Sequence, residues 1–172
     1  VGLVTFDTAV RRFIPPRRGR RHVLAVVRDL LWSKPASRGT DIAGALTFLS
    51  RVAVKRAIVF LISDFRAEGF EKPLRLGHRK HDLIALNLRD PREEEIPPIG
   101  LVKLQDAETG EDFWLDTSDT GVMKRYKGLV KERRKKLDQL LRVSGVDQVE
   151  IRADRDYVRT LSHFFRMRAR RK

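Results

Sequence analysis

Six apolar residues run without interruption over residues 57–62, and Ser63-Asp64 follows them. A run this short and this apolar predicts a strand buried on both faces, in the middle of a parallel sheet with helices above and below. Ile58 and Val59 are β-branched, which favours a strand over a buried turn of helix. Asp64 would then lie at the carboxyl end of a central strand, at the edge where open α/β sheets bind ligands.

The rest of the chain alternates between strand and helix patterns. Further strands are predicted at residues 1–6, 10–14, 82–88, 101–104, 113–115 and 149–151. Helices are predicted at residues 20–32, from a cap at Thr40 or Asp41 to residue 52, at 70–80, at 121–143, and after a cap at Asp154. Strand 10–14 pairs back on strand 1–6, and the strands around residues 106–112 form a hairpin. This order predicts a three-layer α/β domain with a mostly parallel sheet, and residues 1–172 form a single domain.

Several predicted helices carry apolar stripes at helical spacing, which we expect to face the core. The stripe of the first helix contains Val23, Leu24, Val27, Leu30 and Leu31. The stripe of the long helix contains Tyr126, Leu129, Val130, Leu137, Leu140 and Leu141. The stripe of the last helix contains Tyr157, Val158, Leu161, Phe164 and Phe165.

The chain carries 37 Lys and Arg against 23 Asp and Glu, a formal net charge of +14. This balance fits an anionic partner, such as nucleic acid or an acidic protein surface, and equally a well-solvated surface. The densest basic segment is a candidate site for phosphate or an acidic protein face, and contains Arg17, Arg18, Arg20 and Arg21. Nucleic acid binding is less favoured, because the nearby aromatics, Phe13 and Trp32, are expected in the core rather than as stacking platforms.

Cysteine is absent, which excludes disulfides and thiolate metal sites and fits a cytoplasmic protein. No apolar run approaches the roughly 20 residues that a membrane helix needs. The chain begins with Val1 inside a predicted strand, so we expect it to be a fragment of a longer protein.

Thr40 and Asp64 are the candidate metal ligands. Thr40 begins a helix after Ser37-Arg38-Gly39, and Asp64 ends a strand, so both fall on the carboxyl edge of the predicted sheet. A hydroxyl and a carboxylate are hard oxygen ligands that suit Mg²⁺ or Mn²⁺. The same residues also fit a helix cap and a turn cap, and spacing alone leaves both interpretations open.

Motifs typical of catalysis are missing from the sequence. The four histidines show no metal-ligand spacing, and neither a Gly-x-Ser-x-Gly elbow nor a phosphate-binding glycine loop occurs. Asp64 could act as a phosphoacceptor, but such domains need further acids, and Asp7 is the only one at a preceding strand end. We therefore expect a binding protein rather than an enzyme.

Several segments occur in an order that is found in a known bacterial family. They are Val1-Gly2-Leu3-Val4-Thr5-Phe6-Asp7, Phe13-Ile14-Pro15-Pro16-Arg17-Arg18-Gly19-Arg20-Arg21-His22, Arg38-Gly39-Thr40-Asp41-Ile42-Ala43-Gly44-Ala45-Leu46, Val59-Phe60-Leu61-Ile62-Ser63-Asp64-Phe65 and Asp116-Thr117-Ser118. Together with the stretch 152–165, they resemble bacterial proteins of unknown function that have a von Willebrand factor A-like domain and are encoded beside MoxR-type AAA+ ATPases.

The resemblance implies a doubly wound sheet with a metal-ion-dependent adhesion site on its carboxyl edge. In the family, three loops build this site: the first carries Asp-x-Ser-x-Ser, the second a Thr and the third an Asp. Thr40 matches the second loop and Asp64 the third. Asp-x-Ser-x-Ser does not occur in these 172 residues. In the family it ends a first strand, which lies between the strands matched here by residues 1–6 and 57–62.

We therefore expect a von Willebrand factor A-like domain that lacks its first central strand and leaves two apolar strand edges unpaired. It should bind Mg²⁺ or Mn²⁺ weakly or not at all. The implied function is that of an adaptor for a MoxR-type AAA+ ATPase in complex assembly or maturation, with a partner's carboxylate in the last metal position. The alternatives are a basic nucleic-acid-binding protein and a phosphotransfer enzyme that uses Asp64.

Overall fold

The structure, a computed structural model, describes residues 1–34, 37–93, 96–105 and 110–170. Its strands are β1 (Leu3–Phe6), β2 (Val10–Ile14), β3 (Ile58–Ser63), β4 (Asp82–Arg89), β5 (Leu101–Gln105), β6 (Asp112–Asp116) and β7 (Asp147–Arg152). Its helices are α1 (Arg20–Trp32), α2 (Ile42–Val52), α3 (Glu71–Lys80), α4 (Thr120–Val143) and α5 (Tyr157–Ala169). Parts of four predicted loops or tails lie outside the described residues, at 35–36, 94–95, 106–109 and 171–172.

Strands β3, β4 and β7 form a parallel sheet in that order, so β4 is its middle strand. Helices α3 and α4 come between successive strands of this sheet along the chain, as parallel connections require. β1 pairs with β2, and β5 with β6, as separate antiparallel hairpins. The predicted α/β fold with a parallel sheet and both predicted hairpins are therefore confirmed.

One face of the parallel sheet carries the main hydrophobic core. Its buried members are Ile42, Leu46, Leu61, Phe65, Phe70, Leu74, Leu83, Ala85, Leu141 and Val146. Ile42, Leu74 and Leu141 are each at most 1% exposed. Helices α2, α3 and α4 are thus each anchored to this face by one fully buried aliphatic side chain.

On the opposite face, α5 covers β4 and β7 but leaves β3 largely open. Leu161 and Phe164 pack against Ile84, Leu86 and Val149. An aromatic ring of α5 also contacts an aromatic ring of β3, and the two ring centroids are 6.0 Å apart. The β3 side chains on this face are exposed by 44–63%; they are Ile58, Phe60 and Ile62. The prediction that residues 57–62 form a central strand buried on both faces is therefore wrong within the described sheet, because β3 is its edge strand. The strand that is buried on both faces is β4.

The predicted inward stripe of α1 faces solvent in the part of the chain that the structure describes. Val26 is the buried residue of this helix. The stripe residues are exposed by 39% at Val23 to 78% at Leu31, because no described element packs closely over them. Trp32 is 80% exposed, so its predicted place in the core is wrong. Phe13, in contrast, packs edge-to-face with a ring of α2 at 5.5 Å.

The stripes of α4 and α5 are only partly buried. Leu141 packs in the core near the C-terminal end of α4, whereas Leu129 is 67% exposed because it lines an open pocket. In α5, Leu161 and Phe164 pack on the sheet, but Tyr157, Val158 and Phe165 are 42–59% exposed. None of the helices in the described ranges has both the length and the apolar content required to cross a bilayer.

The structure shows which residues cap α2 and α5, for which the sequence predicted Thr40 or Asp41 and Asp154. Asp41, and not Thr40, caps α2 by accepting a hydrogen bond at 2.7 Å from an amide in its first turn. Asp156 caps α5 through two amides of its first turn, so the predicted cap at Asp154 is wrong. Asp154 instead accepts a hydrogen bond from Arg152 at 3.0 Å, which lowers the pKa of its carboxyl.

Candidate functional site

The carboxyl ends of β3, β4 and β7 meet at one edge of the sheet because the strands are parallel. Just before this edge, Ser63, Asn87 and Glu150 occupy aligned positions across the three strands. Ser63 and Asn87 are 9% and 5% exposed, so polar side chains replace aliphatic ones where the core ends. Asp64 follows β3 directly and Asp90 follows β4. This row of polar groups marks the edge as the candidate functional site.

Asp64 is held in a turn between two buried neighbours. Phe65 has a φ of +55°, and its side chain packs in the core beside Phe70. Its amide donates to Ser63 Oγ at 3.1 Å. The Asp64 carboxylate is half exposed, accepts the Arg66 amide at 3.3 Å and lies 3.5 Å from Arg66 Nε. A left-handed conformation in a bulky residue is strained, and such strain is concentrated at functional sites.

Thr40 lies partly buried in the loop before α2. Gly39, which precedes it, has a φ of +93°, a conformation that favours glycine. Asp41, which follows it, caps α2, and the Asp41 amide donates to the carbonyl oxygen of Asp7 at 2.7 Å. The local sequence thus fixes Thr40 between a glycine turn and a helix cap.

The turn between β1 and β2 contributes a buried acid, Asp7, which is 6% exposed. Its carboxylate accepts hydrogen bonds from Arg11 Nε at 2.6 Å and from the Ala9 amide at 3.2 Å. Arg11 also donates to Ser37 Oγ at 2.9 Å, and so joins this turn to the loop that holds Thr40. Through Arg11, Asp7 therefore joins the β1–β2 turn to the loop that contains Thr40.

Ile42, two residues after Thr40, and Phe65, directly after Asp64, both belong to the main core cluster. Among the residues that the structure describes, no group of three or more His, Asp or Glu side chains could hold a metal ion. Mg²⁺ requires about six oxygen ligands, whereas Thr40 and Asp64 supply one hydroxyl and one carboxylate. The residues present therefore do not make a complete metal site by themselves, and the role of these two as metal ligands stays a prediction.

A pocket of about 540 Å³ opens beside Asp64. Its walls come from the turns after β3 and β4, from the hairpin β5–β6 and from α4. Its charged lining consists of Asp64, Arg66, Arg89, Asp90, Arg92, Arg133 and Arg134. Its apolar lining includes Leu88, Leu104, Phe113, Leu129 and Leu137. Its volume falls within the range of about 300–1,000 Å³ found for ligand pockets, but its lining is more highly charged than most.

Glu150 organises the inner arginines of this pocket. One of its carboxylate oxygens lies 2.7 Å from Arg89 Nη1 and 2.8 Å from Arg134 Nη2. Arg89 is only 11% exposed at its side chain, so its guanidinium is fixed under the pocket rather than free in solvent. A strand residue thus holds an arginine of β4 and an arginine of α4 in place.

The predicted basic segment forms a separate surface at the start of α1. Its four arginines are all exposed; they are Arg17, Arg18, Arg20 and Arg21. None of them lines the pocket beside Asp64. The Arg17 backbone pairs with Val1 through two hydrogen bonds of 2.8 and 3.1 Å, so the segment lies beside the residues that precede β1. Anion binding at this segment stays a prediction.

Sequence reasoning did not identify the arginine pocket. The stripe predicted for α4 contains neither Arg133 nor Arg134, and the structure places both in the lining of the pocket. The positions of Arg66 and Arg89 could have indicated the pocket, because both residues lie at strand ends on the edge where ligands bind. The contribution of α4 depends on how that helix docks, which periodicity does not specify.

Comparison with known proteins places the chain among bacterial relatives of unknown function. A family model described as protein of unknown function DUF58 matches residues 1–136. The uncharacterized protein MAV169 of Mycobacterium avium is 30% identical over 162 residues, which are 91% of this chain and 94% of that protein. The uncharacterized protein Rv1480 of Mycobacterium tuberculosis is 29% identical over 175 residues, which are 99% of this chain and 54% of that protein. The chain thus spans about half the length of this second relative.

Two solved structures resemble the chain at low identity. One is the conserved hypothetical protein BatB from Bacteroides thetaiotaomicron, with 17% identity, a TM-score of 0.46, and coverage of 94% of this chain and 74% of that one. The other is an aerotolerance-related membrane protein from Bacteroides fragilis, with 15% identity, a TM-score of 0.48, and coverage of 94% and 75%. Similarities at this level support no assignment of function.

Proposed function

The chain belongs to the DUF58 family, whose function is unknown, and we propose that it is a protein-interaction domain that serves a MoxR-type AAA+ ATPase as an adaptor. In this role it binds the ATPase in the cytoplasm during assembly or maturation of a protein complex. It acts by binding and not by catalysis. The observation that carries the proposal is the half-exposed carboxylate of Asp64, held in a strained turn at the carboxyl edge of the sheet beside an open pocket.

The proposed fold is a single von Willebrand factor A-like domain over residues 1–172, without the first central strand of that fold. Three features support it. In the described part of the chain, β3 has one unpaired edge, and the β1–β2 hairpin is separate from the parallel sheet. The exposed side chains of Ile58, Phe60 and Ile62 lie on this same strand. An added strand between β1 and β3 would pair the edge, and its flanking segments would cover these side chains.

The proposed metal is Mg²⁺ or Mn²⁺, bound by the whole protein. Thr40 would coordinate the ion directly through its hydroxyl, and Asp64 would hold it directly or through a water molecule. The remaining ligands would come from an Asp-x-Ser-x-Ser loop outside these 172 residues. The ion would supply an open coordination position for a carboxylate of the partner. The chain alone should bind metal weakly or not at all, because Thr40 and Asp64 offer too few oxygens.

Binding of the purified ATPase to the whole protein tests this proposal. Biolayer interferometry should detect the complex in Mg²⁺ and lose it in EDTA. Asp64→Ala and Thr40→Ala should abolish the Mg²⁺-dependent part, whereas Asp154→Ala, which removes an acid after β7 at the same sheet edge, should leave it unchanged. Equal binding in EDTA, or by Asp64→Ala, would remove the adhesion-site mechanism.

A further inference from the structure

The pocket beside Asp64 carries more positive than negative charge. Among the residues that the structure describes, five arginines line it, against the lining carboxylates Asp64 and Asp90 and the neighbouring Glu150. Within the described ranges, the guanidinium groups of Arg92 and Arg133 form no ion pair with a carboxylate. These two side chains are therefore available to a ligand.

The neighbouring groups are arranged to keep these charges in place. Glu150 fixes Arg134, which is adjacent to Arg133 on α4. The carboxylate of Asp90 accepts the Arg92 amide at 2.9 Å, which shapes the turn after β4. The two available arginines thus approach the pocket from a helix and from a turn. Arginines placed in this way suit the planar geometry of a carboxylate, which accepts two parallel hydrogen bonds.

The same pocket also contains apolar side chains that remain open to solvent. Leu88 is 45% exposed, Phe113 44% and Leu129 67%. They come from the strand β4, the hairpin strand β6 and α4. Apolar groups exposed within a concave surface are typical of interaction sites. A ligand that matches the whole lining therefore needs negative charge and an apolar body together.

We propose that this pocket binds an acidic segment of a partner protein, in which Glu or Asp alternates with aromatic or aliphatic residues. The carboxylates contact Arg92 and Arg133, and the apolar side chains contact Phe113 and Leu129. The choice of a peptide over a free anion rests on the interaction function proposed above. A continuous phosphate backbone fits less well, because Asp64 and Asp90 lie within the same lining.

Fluorescence anisotropy on the chain tests this inference with four probes. The first is a fluorescein-labelled peptide of alternating Glu, Phe and Leu. The second replaces each Glu with Gln, the third contains Glu and Gly only, and the fourth is unlabelled pyrophosphate as a competitor. The informative variant is Arg92→Gln/Arg133→Gln. Its matched control is Lys124→Gln/Lys131→Gln, which removes the same charge from exposed positions of α4 outside the pocket.

We expect the first peptide to bind more tightly than the second and third. The arginine double variant should weaken it by about tenfold or more, and the lysine control should bind like the unaltered chain. Equal weakening by both double variants would mean attraction to the overall net charge, and would overturn the pocket assignment. Displacement by pyrophosphate at concentrations similar to those of the peptide, or no binding of any probe, would overturn the peptide assignment.

The same titration in EDTA separates this inference from the adaptor function. Arginine contacts do not need a divalent ion, so peptide binding should persist in EDTA. If peptide binding persists and the Mg²⁺-dependent ATPase complex is never found, the pocket assignment stands and the adaptor function fails. If the ATPase complex forms, but Arg92→Gln/Arg133→Gln changes neither this complex nor peptide binding, the pocket assignment fails and the adaptor function stands.

Discussion

Acidification below pH 6.5 should destabilise the fold through His81. This residue follows α3 and is 0% exposed, and neither ring nitrogen has a hydrogen-bonding partner among the described residues. Burial, and then the positive charges of Lys80 and Arg56, lower the pKa of His81 below its usual value of 6.5. The folded state therefore keeps this imidazole neutral at a pH where the unfolded chain takes up a proton.

The sign and the size of the effect follow from this difference. Above pH 6.5 the imidazole is neutral in both states and His81 contributes no pH dependence. As the pH falls below 6.5, only the unfolded state gains the proton, so stability drops by at most about 1.4 kcal/mol per pH unit. Between pH 7 and pH 5 the loss of folding free energy is therefore at most about 2 kcal/mol, because the unfolded chain takes up the proton only below its pKa of 6.5. The loss ends where the pH reaches the folded pKa.

Urea denaturation from pH 7 to pH 5, followed by circular dichroism, measures this slope. His81→Leu should remove the contribution of His81, so that the variant loses less stability on acidification than the unaltered chain. Leu74→Ala is the matched control, because it removes a fully buried side chain that does not ionise. It should lower stability at every pH and keep the slope. If His81→Leu shows the same slope as the unaltered chain, the buried neutral imidazole is not the cause.

Three further predictions concern the core and the loop that holds Thr40. Leu141→Ala should lower the free energy of unfolding in urea by about 3–5 kcal/mol, whereas Leu129→Ala, at a site 67% exposed, should change it by less than about 0.5 kcal/mol; equal losses would contradict the docking of α4. Asp41→Ala should cost about 1 kcal/mol by removing the α2 cap, and Asp41→Asn should restore most of it in the same assay. Asp7→Ala should cost about 1–3 kcal/mol and lower the melting temperature, because it leaves Arg11 without its carboxylate; an unchanged melting temperature would show that this ion pair does not hold the loop.

Element positions were predictable because local signals set them. The helix at 20–32 matches α1 in both bounds, since Pro15-Pro16 and Gly19 punctuate its start and Ser33 ends it. The predicted strand 57–62 differs from β3, Ile58–Ser63, by one residue at each end. Capping was predicted less well, because several acids stand near the start of α5 and only geometry selects Asp156.

Burial was not predictable to the same extent. Periodicity shows which residues share a face, but it does not show what covers that face. The stripe of α1 and the outer face of β3 are both apolar, and both are exposed among the described residues. The interior of β4 is apolar as well and is buried, because helices pack on both of its sides.

The candidate site was predictable only in its strand-end residues. The carboxylate of Asp64 lies where the strand pattern places it, and Thr40 lies directly before α2. Asn87 and Glu150, which complete the polar row, sit inside predicted strands and carried no separate signal. Arg133 reaches the pocket through the packing of α4, which is a tertiary property.

Binding of Mn²⁺ to the whole protein, followed by electron paramagnetic resonance, tests the central claim most directly. Titration of the whole protein should deplete the signal of free Mn²⁺ with one ion bound per chain. Mg²⁺ should compete for this site, Asp64→Ala and Thr40→Ala should abolish it, and Asp154→Ala should retain it. Stoichiometric binding that survives Asp64→Ala, or no depletion at all by the whole protein, would contradict a metal-dependent adhesion site at this edge of the sheet.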